Sequence, residues 1–243
     1  MFKKIFSQIL ISSLLITFGL ALPTQSPKAE DVSGNFILVW SSDSYVPSNY
    51  QGKALPTRLS RVKVVALPIK KLSADQTWLY YRWLLDGQVA GRDSGQGKSA
   101  FNFLVTRWGG DSHEIELQTL DSQENVIGRN FISIPVVEAE TLLLPPQNDY
   151  AAKNQITAKT GQEFNLLATP LFFHIKNLAE LNFEWNFDGQ ILSSTDQKNL
   201  NIFTLKIPAG NLTESLMRQL KLDVSHKTDQ FQRTVNDLTI EIK

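Results

Sequence analysis

Gly95-Gln96-Gly97-Lys98-Ser99 is the stretch that most resembles a chemical motif, since a glycine-rich turn ending in Lys-Ser can cradle phosphates. A phosphate loop needs glycine five residues before Gly97, where Arg92 stands, with Gly91 one place off. A strand-like run, Phe101 to Arg107, follows where a helix N-terminus should face the phosphates. The segment therefore reads as a turn between strands. Asp86-Gly87 and Asp188-Gly189 supply carboxylates, but calcium needs several acidic oxygens at close spacing, and no Asp-x-Asp-x-Asp run exists. Asp-Gly after a strand is the composition of a tight turn. His113, His174 and His226 are too dispersed for a zinc signature. The chain has no cysteine, which removes disulfides, thiolate metal sites, Cys nucleophiles and lipid attachment through Cys. No Gly-x-Ser-x-Gly elbow occurs. The sequence thus offers no catalytic, cofactor-binding or metal-binding set, and the expectation is a protein that is not an enzyme and carries no cofactor.

Composition narrows the partners. With 24 basic and 24 acidic residues in 243, nothing favours nucleic acid. Lys3, Lys4 and Lys28 are the only charges before Glu30, so the remaining 21 basic and 24 acidic residues leave −3, which gives no polybasic membrane patch. Without disulfides, an exported domain must be held by its core alone.

The N-terminus has the order of an export signal. Lys3-Lys4 is followed by the uncharged apolar run Ile5 to Leu22, then by small and polar residues up to Ala29. Residues 1–29 read as a cleaved signal peptide or an uncleaved membrane anchor. Both place the remainder outside the cytoplasm, in the periplasm, on the cell surface or in the medium. A membrane contact is expected only through this segment, if uncleaved.

The elements that must position everything else come in two copies. Tyr81-Arg82-Trp83-Leu84-Leu85-Asp86-Gly87-Gln88 recurs 102 positions later as Phe183-Glu184-Trp185-Asn186-Phe187-Asp188-Gly189-Gln190. The offset holds upstream without a gap, Ala66, Pro68 and Leu79 matching Ala168, Pro170 and Leu181. Trp83, Asp86, Gly87, Trp185, Asp188 and Gly189 are therefore the structural anchors of the repeat. A unit of about 100 residues is the size of an immunoglobulin-like domain. Strand-like runs bounded by turn residues cover both copies, among them Arg61 to Leu67, His113 to Leu120, Leu181 to Phe187 and Gln219 to Ser225. Ile69 to Ala74, Leu178 to Leu181 and Leu212 to Met217 leave room for short helical turns. The expected fold is all-β: two tandem immunoglobulin-like antiparallel β-sandwiches, residues 33–137 and 138–243, after the N-terminal signal or anchor.

Trp83-Leu84-Leu85-Asp86-Gly87 and Trp185-Asn186-Phe187-Asp188-Gly189 resemble the Trp-bearing strand of PKD-type immunoglobulin-like domains, each one residue shorter than that family's motif. The resemblance implies PKD-like sandwiches of exported bacterial envelope proteins, usually without catalytic residues of their own.

The aromatics outside the core pattern are the candidate partner contacts. Trp108 stands at a strand end beside Gly109-Gly110 and has no counterpart in the second copy; it either covers the end of the sandwich or meets a partner. Tyr45 and Tyr50 lie in the long connection Ser41 to Ser60, which reads as a functional loop or as an edge strand crossing between sheets at its prolines. The functional expectation is contact with a protein or glycan surface in adhesion, spacing or assembly. The alternatives are a carbohydrate-binding module, which needs coplanar exposed aromatics, and a two-domain periplasmic chaperone, which needs a long apolar edge strand.

Overall fold

The computed structural model describes residues 36–69, 79–145, 154–192 and 199–243. Residues 1–29, expected as a signal or anchor, lie outside the described residues, as do Trp78 and most of the turn expected at Ile69 to Ala74. No helix among the described residues is long and apolar enough to cross a membrane.

Alternation builds the first sandwich. In β2 (Arg61–Pro68), Val62, Val64 and Ala66 point inward between outward Arg61, Lys63 and Leu67, and such a strand buries one face only. It pairs with β1 (Phe36–Ser42) and β6 (Ala100–Leu104) in a three-stranded sheet ordered β1-β2-β6. The opposing sheet runs β4-β3-β7-β8, from β3 (Tyr80–Leu85), β4 (Gln88–Val89), β7 (Ser112–Leu120) and β8 (Val126–Pro135), with β5 (Gly95–Gln96) also on β3. Phe36, Val64, Trp83, Phe101, Leu117 and Ile134 meet between the sheets.

The second sandwich repeats the plan. β9 (Glu140–Leu144), β11 (Glu163–Leu171) and β14 (Ile202–Lys206) form the sheet β14-β11-β9. β10 (Gln155–Ala158), β12 (Leu181–Phe187), β13 (Gln190–Leu192), β15 (Leu216–His226) and β16 (Arg233–Ile242) form the sheet β10-β16-β15-β12-β13. Its core holds Phe164, Leu166, Phe173, Trp185, Leu222 and Ile240. In both copies two early strands (β1 and β2, or β9 and β11) share a sheet with the strand that precedes the last two (β6 or β14), while β3 or β12 joins the last two. That is the immunoglobulin-like order.

The differences from the sequence reading are local. One pair, β10 on β16, is parallel within otherwise antiparallel sheets. Strands β4, β5 and β13 are too short to show periodicity. Leu178–Glu180 forms the expected helical turn, a 3-10 turn capped by Asn177, whose side chain accepts from the Ala179 N–H. At Leu212 to Met217 no helix forms; pairing of Leu216 with Ile242 draws the chain into β15 instead.

Candidate interaction site

The repeat anchors occupy the same places in both copies. Trp83 is fully buried and stacks on Phe101 at 5.7 Å, while Trp185, 3% exposed, packs on Phe203 at 5.3 Å. The Trp83 indole N–H donates to the Lys98 carbonyl at 2.9 Å, and that of Trp185 to the Leu200 carbonyl at 3.3 Å. The phosphate-loop look-alike is therefore engaged in structure: Lys98 receives the indole, and the Ser99 carbonyl receives the Ala66 N–H. Its equivalent in the second copy is Asn201, which receives Ala168. Asp86 and Gly87 both have positive φ, 51° and 79°, as do Asp188 and Gly189, 49° and 84°. Each pair makes the two-residue hairpin turn that matches strand twist.

The three candidate contact residues converge on one region, where the sandwiches meet. After β1 the chain leaves its own sheet, and Tyr45 exchanges two backbone hydrogen bonds with the second sandwich: its N–H donates to the Phe173 carbonyl, and its carbonyl accepts from Phe172, each at 2.7 Å. The Tyr45 ring packs against the second core, and burial pushes its hydroxyl pKa up. Tyr50 meets Phe172 edge to face at 5.9 Å. The buried Thr57 hydroxyl donates to the Phe172 carbonyl at 2.8 Å. These contacts hold Phe172 at φ 62°, a conformation a bulky residue adopts only where its neighbours dictate it. The connection that reads as a loop or crossing strand thus takes a third course, as a strap onto the neighbouring sandwich.

At the rim of this junction Trp108 is 47% exposed and Phe231 53% exposed. The two rings, one from each sandwich, lie 5.3 Å apart at 77°. The Arg58 guanidinium covers both, 4.5 Å from the Trp108 ring and 5.1 Å from that of Phe231. Gly109 donates to the Glu138 carboxylate at 3.0 Å, and the Asp111 N–H to the Trp108 carbonyl at 3.2 Å, which fixes the Trp108 turn. The patch offers two apolar ring faces beside a planar cation. Arg58, Phe172 and Phe231 carry no signal in the sequence: Arg58 covers Trp108, distant in its own copy, and Phe231 of the other, while Phe172 and Phe231 each meet residues of the first copy.

The histidines serve separate purposes. His113 is 2% exposed, and its Nδ1 lies 2.8 Å from Asp86 Oδ2, with Arg107 at 3.3 Å from the same oxygen. Burial alone raises the Asp86 pKa, but the Glu114 N–H, His113 and Arg107 outweigh it and hold the carboxyl below its ordinary value. His226 Nδ1 accepts the N–H groups of Thr228 and Asp229, capping a hairpin turn. His174 lies 3.7 Å from Asp43 across the junction. No group of three His, Cys, Asp or Glu able to hold a metal occurs among the described residues.

No protein-family model and no curated protein matches the sequence. Among solved structures, the chain is similar to the fibronectin(III)-like modules of Clostridium thermocellum CbhA, at 13% identity over 85% of this chain and 94% of that one, with a TM-score of 0.28. It is similar to chicken CNTN1 FN1–FN3 domains at 10% identity, covering 86% and 65%, with a TM-score of 0.31. Sidekick-1 immunoglobulin domains 1–5 match at 13% identity, covering 85% and 41%, with a TM-score of 0.28.

Proposed function

We propose that this chain is an exported, non-catalytic contact protein of the bacterial envelope or exterior. Residues 1–29 direct or anchor it, and two PKD-like sandwiches, 33–137 and 138–243, hold a contact surface at their junction. One observation carries the reading. Trp108 and Phe231 come from different sandwiches, stay half exposed, and share one guanidinium. Exposed Trp, Phe and Arg side by side are the composition of a protein-binding hot spot. The partner is a protein surface, because rings set at 77° do not form the flat platform on which a sugar chain stacks. Tyr45 and Tyr50 join the two sandwiches through Phe172 and Phe173.

The test is capture from envelope extract with the wild-type chain, Trp108→Ala and Phe231→Ala, alongside their melting temperatures. The expected result is a partner retained by wild type and lost by both variants, with melting temperatures changed by no more than a few degrees. Equal capture by all three would overturn the role of the patch. Turnover of a substrate that is abolished by changing one polar residue would overturn the non-catalytic reading.

A further inference from the structure

Each sandwich turns outward a sheet face that carries a contiguous aliphatic row. In the first, Val39, Val65 and Ala100 lie side by side across β1, β2 and β6, with Ile37 beside Leu67 in the adjacent row. In the second, Leu144, Leu167 and Ile202 form the matching row across β9, β11 and β14. Val65 and Ala100 stand 102 positions before Leu167 and Ile202, so the rows are equivalent in the repeat. Ile37 is 54% exposed, and Val39, Leu67, Leu167 and Ile202 are exposed as well. Scattered exposed aliphatics are ordinary, but a contiguous row found twice at one place in a duplicated fold marks a contact surface. The side chains differ between the copies while the apolar character is common to both.

We infer that these faces pack on each other between chains, the β1-β2-β6 face of one chain seating on the β14-β11-β9 face of a second copy. Charge selects this occupant. Arg61 stands on the first face four residues before Val65, and its guanidinium has no hydrogen bond or ion pair among the described residues. Its repeat equivalent on the second face is Glu163, which touches Lys206 at 3.7 Å. With β2 laid along β11, Val65 meets Leu167 and Arg61 meets Glu163. With the strands in that same parallel register, pairing like faces would set Arg61 against Arg61 or Glu163 against Glu163, so repulsion favours the mixed contact. Aliphatic rows without an aromatic ring suit interdigitation of sheets.

The absence of cysteine makes the test direct. Full chains carrying Val65→Cys or Leu167→Cys, with different tags, are mixed and treated with a bismaleimide spanning about 10 Å, the spacing of packed sheets. The expected product joins both tags, and either variant alone gives little dimer. Adding Arg61→Glu to the Val65→Cys chain should lower the yield several-fold, and Glu163→Arg in the other chain should restore it. Absence of the mixed product, with both variants melting like wild type, would overturn the inference. So would equal cross-linking of each variant alone, or failure of the charge reversal to restore the yield. Co-sedimentation with anionic vesicles that Val39→Asp abolishes, without any mixed product, would assign the face to lipid and overturn it too.

Discussion

Asp86 and Asp188 open the same two-residue turn in the two sandwiches, yet different cations hold their carboxylates. Asp86 takes the Glu114 N–H at 2.9 Å, the buried imidazole of His113 and the Arg107 guanidinium. Asp188 takes the Gln219 N–H at 2.9 Å and the partly exposed Arg218 at 3.0 Å. The backbone clamp is shared; the side-chain partner is not. A second difference lies at the edge of the last strand. In the second sandwich β10 pairs in parallel with β16, ending where the Lys243 N–H donates to the Ala158 carbonyl at 3.0 Å. In the first, the corresponding bond survives, from the Val137 N–H to the Pro56 carbonyl at 2.9 Å, but no ladder precedes it. Ahead of Pro56 the chain follows another course: Lys53 lies over the Trp40 ring of the first sandwich, and Tyr45 bonds to Phe172 and Phe173 of the second. Each core must close on itself and so keeps its anchors, whereas the edge is free to change where a neighbour can satisfy the backbone instead.

Trp83→Ala and Trp185→Ala should each cost about 3–5 kcal/mol in denaturant unfolding, because a large buried ring leaves a cavity. The loss should be larger at Trp83, which is wholly buried and has the shorter indole bond. Equal losses would mean that the two cores are equivalent after all. Thr57→Val should cost about 1–3 kcal/mol, since the Phe172 carbonyl is left buried without its donor. It should also separate the melting of the two sandwiches; a single unshifted transition would show that the strap contributes nothing. Residues 138–243 alone should melt cooperatively, but below their melting temperature in the full chain, because Tyr45 no longer packs on their core.

The carboxylate difference is sharpened by pH. Asp86 has a folded pKa below its unfolded value of about 3.9, so the stability it contributes is fully present above that value and is lost as pH falls from there through the folded pKa. Asp86→Asn should therefore flatten the acid limb of the first sandwich's stability profile, measured by melting between neutral pH and pH of about 3. An unchanged acid limb would remove Asp86 as its source. The smallest effect on stability is expected at Trp108. Its substitution by Ala forfeits the edge contact with Phe231 and the cover of Arg58, about 0.5–1.5 kcal/mol. A loss as large as that at Trp83 would make Trp108 a core residue and not a contact.

Much of the fold was legible because its signals are local. Alternation marked Arg61 to Leu67 and His113 to Leu120 within a residue or so of β2 and β7, and Leu181 to Phe187 coincides with β12. The 102-residue offset located both tryptophans and both Asp-Gly turns, since a duplicated core keeps the residues that each copy needs to close. Short strands escaped, because two or three residues have no period. Tyr45, Tyr50 and Trp108 stood out as aromatics away from the core pattern, but nothing near them in the chain names Phe172, Arg58 or Phe231 as their neighbours. Thr57 and Phe172 are 115 positions apart and are joined only when the strap crosses to the second sandwich. By itself, then, the sequence determined two β-sandwiches and their anchors, because periodicity and turn chemistry act between residues close in the chain. Which aromatics share a surface, and which cation covers them, was decided by the packing of one sandwich on the other, where contact depends on distance in space alone.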